Sequence, residues 1–362
     1  MQSAPLSGIR LVEFAGIGPA PYCATLLSDL GADVLRIDRL GTKGPAARDV
    51  HCRGRRRMCL DLKRDEDQRL AVDLLSRADA SIEGFRPGVM ERLGLGPERV
   101  LTLNPRLVYG RVTGWGRDGP LALRAGHDIN YIGLSGALAG IGPAEGPPLP
   151  PLNLVGDFAG GSLFLALGMA AALLHVQRGG DGQVVDAAMV DGAASLMSFF
   201  TGALEQGWDV GRRGQNLLDG SAHYYRCYQC SDGQWLAVGA IEPQFYSELM
   251  KGLGIAESAW PSQRRESWAQ GTALLQDIFR RRSRDEWCAR FESTDACVTP
   301  VLEYDEAPEH PQARAREVFV EASGVRQAAP APRLSETPAR IQGPPPAEED
   351  SPAAALARWP KR

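Results

Sequence analysis

Residues 9–38 read IRLVEFAGIGPAPYCATLLSDLGADVLRID. Ile9–Ala15 has the apolar, β-branched texture of a buried strand. Gly16-Ile17-Gly18-Pro19-Ala20-Pro21 is a turn. Pro21–Leu30 has helical spacing, with Gly31 placed to close the helix. Val34–Asp38 is a second strand. The rhythm then repeats: a short strand at Met58–Leu62, an amphipathic helix over Asp65–Ala78 with Leu70, Leu74 and Leu75 on one face, and strands at Ala80–Phe85 and Leu107–Thr113 with a helix between them. Strands alternating with helices predict a parallel sheet covered on both faces, an α/β fold.

Beyond Ala125 the texture changes. A Pro-rich stretch, Gly142–Pro151, leads into Leu152–Asp157 and an apolar helix after Gly161. Val184–Asp186 and Ala187–Ala203 continue strand-like and then helical. Gly207–Gly220 is rich in glycine and arginine and reads as a linker. Hairpin-like strands through Tyr224–Cys230 and Gln234–Ile241 open a second unit, followed by helices to about Arg290. The last 37 residues hold eight of the 26 prolines, which predicts an extended tail lying on a surface rather than in a core.

The 362 residues carry 44% hydrophobic and 23% charged side chains and a net charge of −4. These are the proportions of a globular protein, and they disfavour a generally basic nucleic-acid binder. The longest apolar stretch, Leu163–Leu174, is closed by His175 and falls short of the ~18–20 residues of a membrane span. No secretory signal opens the chain and no peroxisomal address closes it. Seven cysteines, an odd number in a long chain, suit a reducing compartment, so we expect a cytoplasmic protein. Cys227-x-x-Cys230 has no second pair, and its aromatic neighbours point to packed thiols in a strand rather than to a metal or redox site.

Between Asp33 and Arg64 lie ten basic residues and four acids, a local net of +6 against −10 for the rest of the chain. Most of these arginines are expected on a solvated face. Arg39 and Lys63, however, each follow the end of an expected strand, and so does Arg86 in Gly84-Phe85-Arg86-Pro87. Ligands of open α/β sheets bind outside the carboxyl ends of the strands, and three cations converging there suit a ligand with several phosphates. The first turn lacks the third glycine of a dinucleotide fingerprint, although Asp38 imitates its ribose-binding acid.

Several stretches together resemble the alpha-methylacyl-CoA racemases, a branch of the family III CoA-transferase superfamily. They include Leu6–Gly18, Gly31–Arg39, Leu60–Lys63 (LDLK), Glu83–Gly96, Thr113–Gly116 (TGWG), Gly126–Tyr131 (GHDINY), Leu152–Asp157, Val185–Gly192, Val238–Tyr246 (VGAIEPQFY) and Thr294–Leu302. The resemblance covers residue 6 to about 340. It implies a Rossmann-like large domain over residues 1–200, a linker over 201–223, a smaller α+β domain over 224–310, and a return segment with Pro-rich tail over 311–362, in an interlocked homodimer. It also implies 2-methyl-branched acyl-CoA substrates, with no metal or redox cofactor and no nucleic-acid or membrane partner. By position, Arg39, Leu60, Asp61, Leu62, Lys63, Gly84, Phe85, Arg86 and Arg92 match coenzyme A contacts. Gly126, Asp128, Ile129, Asn130 and Tyr131 match an acyl-pocket loop around His127. Gly220-Ser221-Ala222-His223 departs from the family pattern.

Inverting a carbon next to a thioester takes two groups on opposite faces, each able to accept and return a proton, and a stabiliser for the enolate oxygen. His127 is one candidate, since a histidine titrates near neutrality. Asp157, just before the apolar helix, is the second; the position also suits an N-cap. Free N–H groups at that helix start would favour an enolate but would lower the carboxyl pKa, which a second carboxylate would raise again. Glu242, held extended by Pro243, is that carboxylate in the family pattern. Two rival readings are a CoA-transferase with Asp157 as nucleophile and a non-catalytic CoA-binding protein.

Overall fold

The structure is a computed structural model and describes residues 4–208 and 210–361. The first unit comprises the chain up to Ser135, Leu152–Met197, and the chain from Arg316 on; the second comprises Gly136–Pro151 and Ser198–Ala315.

The first unit is built on six strands: β1 (Arg10–Phe14), β2 (Asp33–Arg39), β3 (Arg55–Leu60), β4 (Ala80–Glu83), β5 (Val108–Thr113) and β6 (Val184–Ala188). All pair in parallel, in the order β3-β2-β1-β4-β5-β6. The order reverses between β1 and β4, the switch point of a doubly wound sheet. The alternation of strand side chains divides the core in two. Leu11, Val34 and Val108 pack with α1 (Pro19–Asp29) and α4 (Phe164–Gln177). Their neighbours Val12, Leu35 and Tyr109 pack on the other face with α2 (Asp65–Arg77). Two further helices of this unit are α3 (Asp128–Leu134) and α5 (Met189–Leu196). An antiparallel hairpin, Phe319–Ala322 with Val325–Ala328, belongs to the same unit.

β3 begins at Arg55, three residues earlier than expected, because its arginines are neutralised rather than solvated. The Arg55 side chain is fully buried 2.5 Å from Glu13. Arg53 pairs with Asp29, Arg56 with Asp33, and Arg57 with Asp38 at 2.8 Å. Five of the ten basic residues, Arg36, Arg53, Arg55, Arg56 and Arg57, are therefore held in an internal ion-pair lattice, while Arg39, Lys43, Arg48, Lys63 and Arg64 are exposed as expected. Asp38 accepts from both Arg36 and Arg57, which removes it as a ribose-binding acid. Pro19 and Pro21 also take backbone donors away from the start of α1.

The tail likewise departs from expectation. It ends in α7 (Pro352–Arg358), and Trp359 is only 1% exposed, packed in the α2-side core. Its indole donates to Asp33 at 2.8 Å, Glu349 pairs with Arg57, and Asp350 pairs with Arg56. Prolines hold the approach extended, while the last turn carries apolar side chains that have a place to be buried.

The second unit contains an antiparallel sheet of β7 (Tyr225–Gln229), β8 (Trp235–Gly239) and β9 (Val298–Val301). Helix α6 (Pro243–Leu253) follows β8 and packs Tyr246, Leu249 and Met250 into that unit's core. Cys227, in the middle of β7, is exposed and Cys230, just past its end, is buried; both are free.

Candidate active site

The loops leaving β1, β4, β5 and β6 enclose a cavity of about 520 Å³ in the first unit, lined among others by Gly18, Arg86, Trp115, His127, Asp157 and Met189. It lies at the carboxyl edge of the sheet beside the switch point, where such folds bind ligands.

Asp157 reaches the cavity from an unusual helix. Residues Leu154–Leu163 form ten residues of π-helix that run on into α4. Asp157 is thus inside the first turn, and Asn153, not Asp157, is the N-cap. Glycines permit the wide turn: a Cβ on Gly192 of α5 would stand 2.0 Å from the Gly160 carbonyl oxygen, and one on Gly156 would stand 2.7 Å from the Asp128 carboxylate. The merged helix, Leu154–Gln177, is the one candidate among the described residues long and apolar enough to cross a membrane. The sequence reading expected none because it counted only the apolar run from Leu163. Leu165, Met169, Leu173 and Val176 of this helix pack in the core beside β5 and β6, as those of a core helix do.

Asn153 donates to Asp157 Oδ2 at 3.3 Å. Burial raises the Asp157 pKa above the usual carboxylate value; the Asn153 bond opposes that, Asp128 reinforces it, and His127 opposes it. The Gly18 backbone faces the same carboxylate: a Cβ there would lie 3.5 Å from Oδ2. Gly18 also has φ +69°, so a side chain would be strained there as well.

His127 is the N-cap of α3 and is exposed to the cavity. Its own N–H is held by the Asn130 side chain at 3.0 Å, and the α3 turn closes on its carbonyl. Tyr131 packs edge-on against Trp115, and its hydroxyl donates to the Gly126 carbonyl. Gly114 leaves it room, since a Cβ there would meet the Tyr131 ring at 2.2 Å.

Of the residues singled out in the sequence, Gly84, Phe85, Arg86, Gly126, His127, Tyr131 and Asp157 line this cavity. Arg39, the last residue of β2, and Lys63, just beyond β3, are exposed on the same carboxyl edge but to one side of it. Leu60 is buried at the end of β3, Leu62 packs on the α2-side core, and Asp61 takes the Lys63 N–H. Arg92 is exposed on a short helix, Val89–Arg92. Ile129 is 45% exposed on α3. Asp128 is buried, and its Oδ2 accepts the N–H groups of both Gly156 and Asp157 at 2.7 Å. The donors expected to await an enolate at that helix start are therefore already taken. Glu242 is in the second unit, the exposed N-cap of α6. His223 is also in the second unit, fully buried, so this departure from the family pattern is a packing residue. Asn153, Arg124, Trp115 and Met189 line the cavity without having been singled out. Asn153 alone had a readable signal, its i, i+4 spacing from Asp157.

A family model for CoA-transferase family III matches residues 6–351. The chain is 46% identical to the alpha-methylacyl-CoA racemase of Mus musculus and 45% identical to that of Homo sapiens, in each case over 92% of this chain and 87% of the relative. It is 32% identical, over 70% of its length and 66% of the relative's, to a succinyl-CoA–D-citramalate CoA-transferase of Chloroflexus aurantiacus. A crystal structure of a CaiB/BaiF family protein from Brucella suis superposes with a TM-score of 0.85 at 26% identity, covering 99% of this chain and 100% of that one. Motifs, fold and comparisons agree: the chain belongs to CoA-transferase family III.

Proposed function

We propose that this protein is an alpha-methylacyl-CoA racemase that interconverts the (2R) and (2S) forms of 2-methyl-branched acyl-CoA thioesters by 1,1-proton transfer. The observation that carries the reading is the meeting of His127 and Asp157 in one cavity, with the Asp157 pKa raised by burial. One residue removes the proton from C2, and the electron pair moves onto the thioester oxygen as an enolate. The other returns a proton to the opposite face, and the roles exchange for the other epimer. A carboxyl whose pKa lies above the usual value is better matched to that exchange than an ordinary one. The first backbone N–H groups of α3, which have no intrahelical acceptor, are the candidate donors to the enolate oxygen.

Coenzyme A would run from this cavity along the carboxyl edge, its phosphates meeting Arg39, Lys63 and Arg86. The thioester supplies the acidity, so the reaction needs no metal or redox cofactor, and coenzyme A is itself part of the substrate. Glu242 would come from a partner chain of an interlocked homodimer. The free cysteines suit the cytoplasm.

The test is incubation of each 2-methylacyl-CoA epimer in heavy water. Both epimers should appear, with solvent deuterium at C2. His127→Ala and Asp157→Ala should each slow racemisation at least ~100-fold, while one of them still exchanges the proton of a single epimer. If C2 stays unlabelled while acyl groups pass to an added carboxylate, the protein is a transferase with Asp157 as nucleophile.

A further inference from the structure

Asp128 belongs to the GHDINY loop, of which Gly126, His127 and Tyr131 line the cavity, yet its own side chain turns inward. It is 7% exposed, and Oδ2 holds the N–H groups of Gly156 and Asp157, 28 and 29 residues away. Oδ1 is buried and has no hydrogen-bond partner among the described residues. A carboxylate closed in this way is screened little by water, so its charge acts on what is near it. What is near is the start of the π-helix, where unpaired N–H groups form a positive pole that would stabilise the ionised form of Asp157.

We propose that Asp128 is a positioning residue for the reaction: its carboxylate ties down the backbone amides of Gly156 and Asp157, fixes where the Asp157 carboxyl stands, and places a second carboxylate beside it. The inference rests on the racemase reading for its catalytic meaning, but its physical content does not. Three facts bear on it. The pair of 2.7 Å bonds fixes the backbone on both sides of the Gly156–Asp157 peptide. Gly156 is the residue that allows so close an approach. Asp128 also acts on Asp157 in the direction that favours its protonated form. The other titratable or charged groups around Asp157 are His127 at the start of α3, the Tyr131 phenol on α3, and Arg86 and Arg124 in the cavity wall. Burial is the main influence that raises the Asp157 pKa; Asp128 adds to it, while the Asn153 hydrogen bond and His127 oppose it.

The experiment follows the Asp157 carboxyl by carbon-13 NMR on the full-length protein, its signal assigned by its loss in Asp157→Asn. In the wild type it should titrate above the ordinary 3.8. In Asp128→Asn, which keeps the shape and an acceptor but not the charge, it should titrate roughly one unit lower. The pH limb of C2 deuterium exchange should move to lower pH by the same amount, with KM for the acyl-CoA within about twofold of wild type. A wild-type carboxyl that titrates at 3.8 or below overturns the proposal without any variant. So does an Asp128→Asn protein whose Asp157 titration is unchanged, or one that loses rate equally at every pH. If the wild type places no deuterium at C2, the racemase reading falls, and the two titration curves still decide whether Asp128 controls Asp157.

Discussion

Mild acid should loosen the second unit through His223. The ring is fully buried, and a Cβ on Gly271 would lie within 2.7 Å of Nδ1. Tyr246 donates its one hydroxyl proton to the Pro261 carbonyl at 2.6 Å, so the 2.8 Å contact between His223 Nε2 and the Tyr246 oxygen requires the ring to be the donor. The neutral Nε2–H tautomer follows, and Nδ1 is left as a buried lone pair without a partner among the described residues. A second proton there would have no acceptor among them. Burial accordingly pushes the imidazole from its ordinary 6.5 down to about 4. The unfolded chain binds that proton from pH 6.5 downward and the folded one only near pH 4, so stability is full above 6.5 and lost as pH falls through this window. The loss comes to about 2.5 kcal/mol by pH 4.5. Asp232, Glu286 and Glu306 in the same unit have lowered carboxyl pKa values, so their losses set in only as pH falls into the ordinary carboxylate range, at the lower end of this window. The functional link is short: Tyr246 is on α6, and its N–H bonds the Glu242 carbonyl at 2.9 Å. The assay is urea unfolding between pH 7 and 4.5, followed by hydrogen exchange of the α6 amides. His223→Phe keeps a ring of similar size; it should be about 1 kcal/mol less stable at pH 7, for the lost hydrogen bond, but nearly flat down to about pH 5. A wild type equally stable at pH 6.5 and 4.5, or a His223→Phe protein with the same acid loss, would refute the argument.

Two further outcomes are expected. Arg39→Ala should raise KM for the acyl-CoA more than it lowers kcat, because a phosphate contact away from C2 is made equally in ground and transition states; unchanged binding of free coenzyme A would move the nucleotide site elsewhere. Mixed and refolded Asp157→Ala and Glu242→Gln chains should regain activity, since one site of each heterodimer would carry neither substitution; heterodimers as inactive as their parents would return Glu242 to its own chain or to no role.

The parallel sheet was legible because its strands and helices change period cleanly, 2 against 3.6, around short glycine turns. β3 was read too short because a strand opening with Arg55-Arg56-Arg57 looks like a solvated surface. Glu13, Asp33 and Asp38, which neutralise it, come from β1 and β2 and are neighbours only once the sheet has formed. Trp359 was missed for a related reason: eight prolines in the last 37 residues dominate the local pattern, and its partner Asp33 is 326 residues away. At the site, His127 and Asp157 stood out through their motifs. The inward turn of Asp128 did not, because nothing in GHDINY distinguishes a side chain facing substrate from one facing the protein's own backbone.

That inward turn bears on how one family supports two reactions. Racemisation and acyl transfer ask opposite things of the same aspartate. A nucleophile that attacks a thioester must be ionised, and it works best where neighbours favour the anion. A residue that gives and takes a proton must be able to hold that proton, and it works best where neighbours disfavour the anion. Here the positive pole of the π-helix, which would serve a nucleophile, is occupied by the Asp128 carboxylate. Burial and that second negative charge both push the Asp157 pKa upward. Asn153 and His127 push the other way. A carboxyl held between these influences is suited to exchanging a proton with a carbon acid.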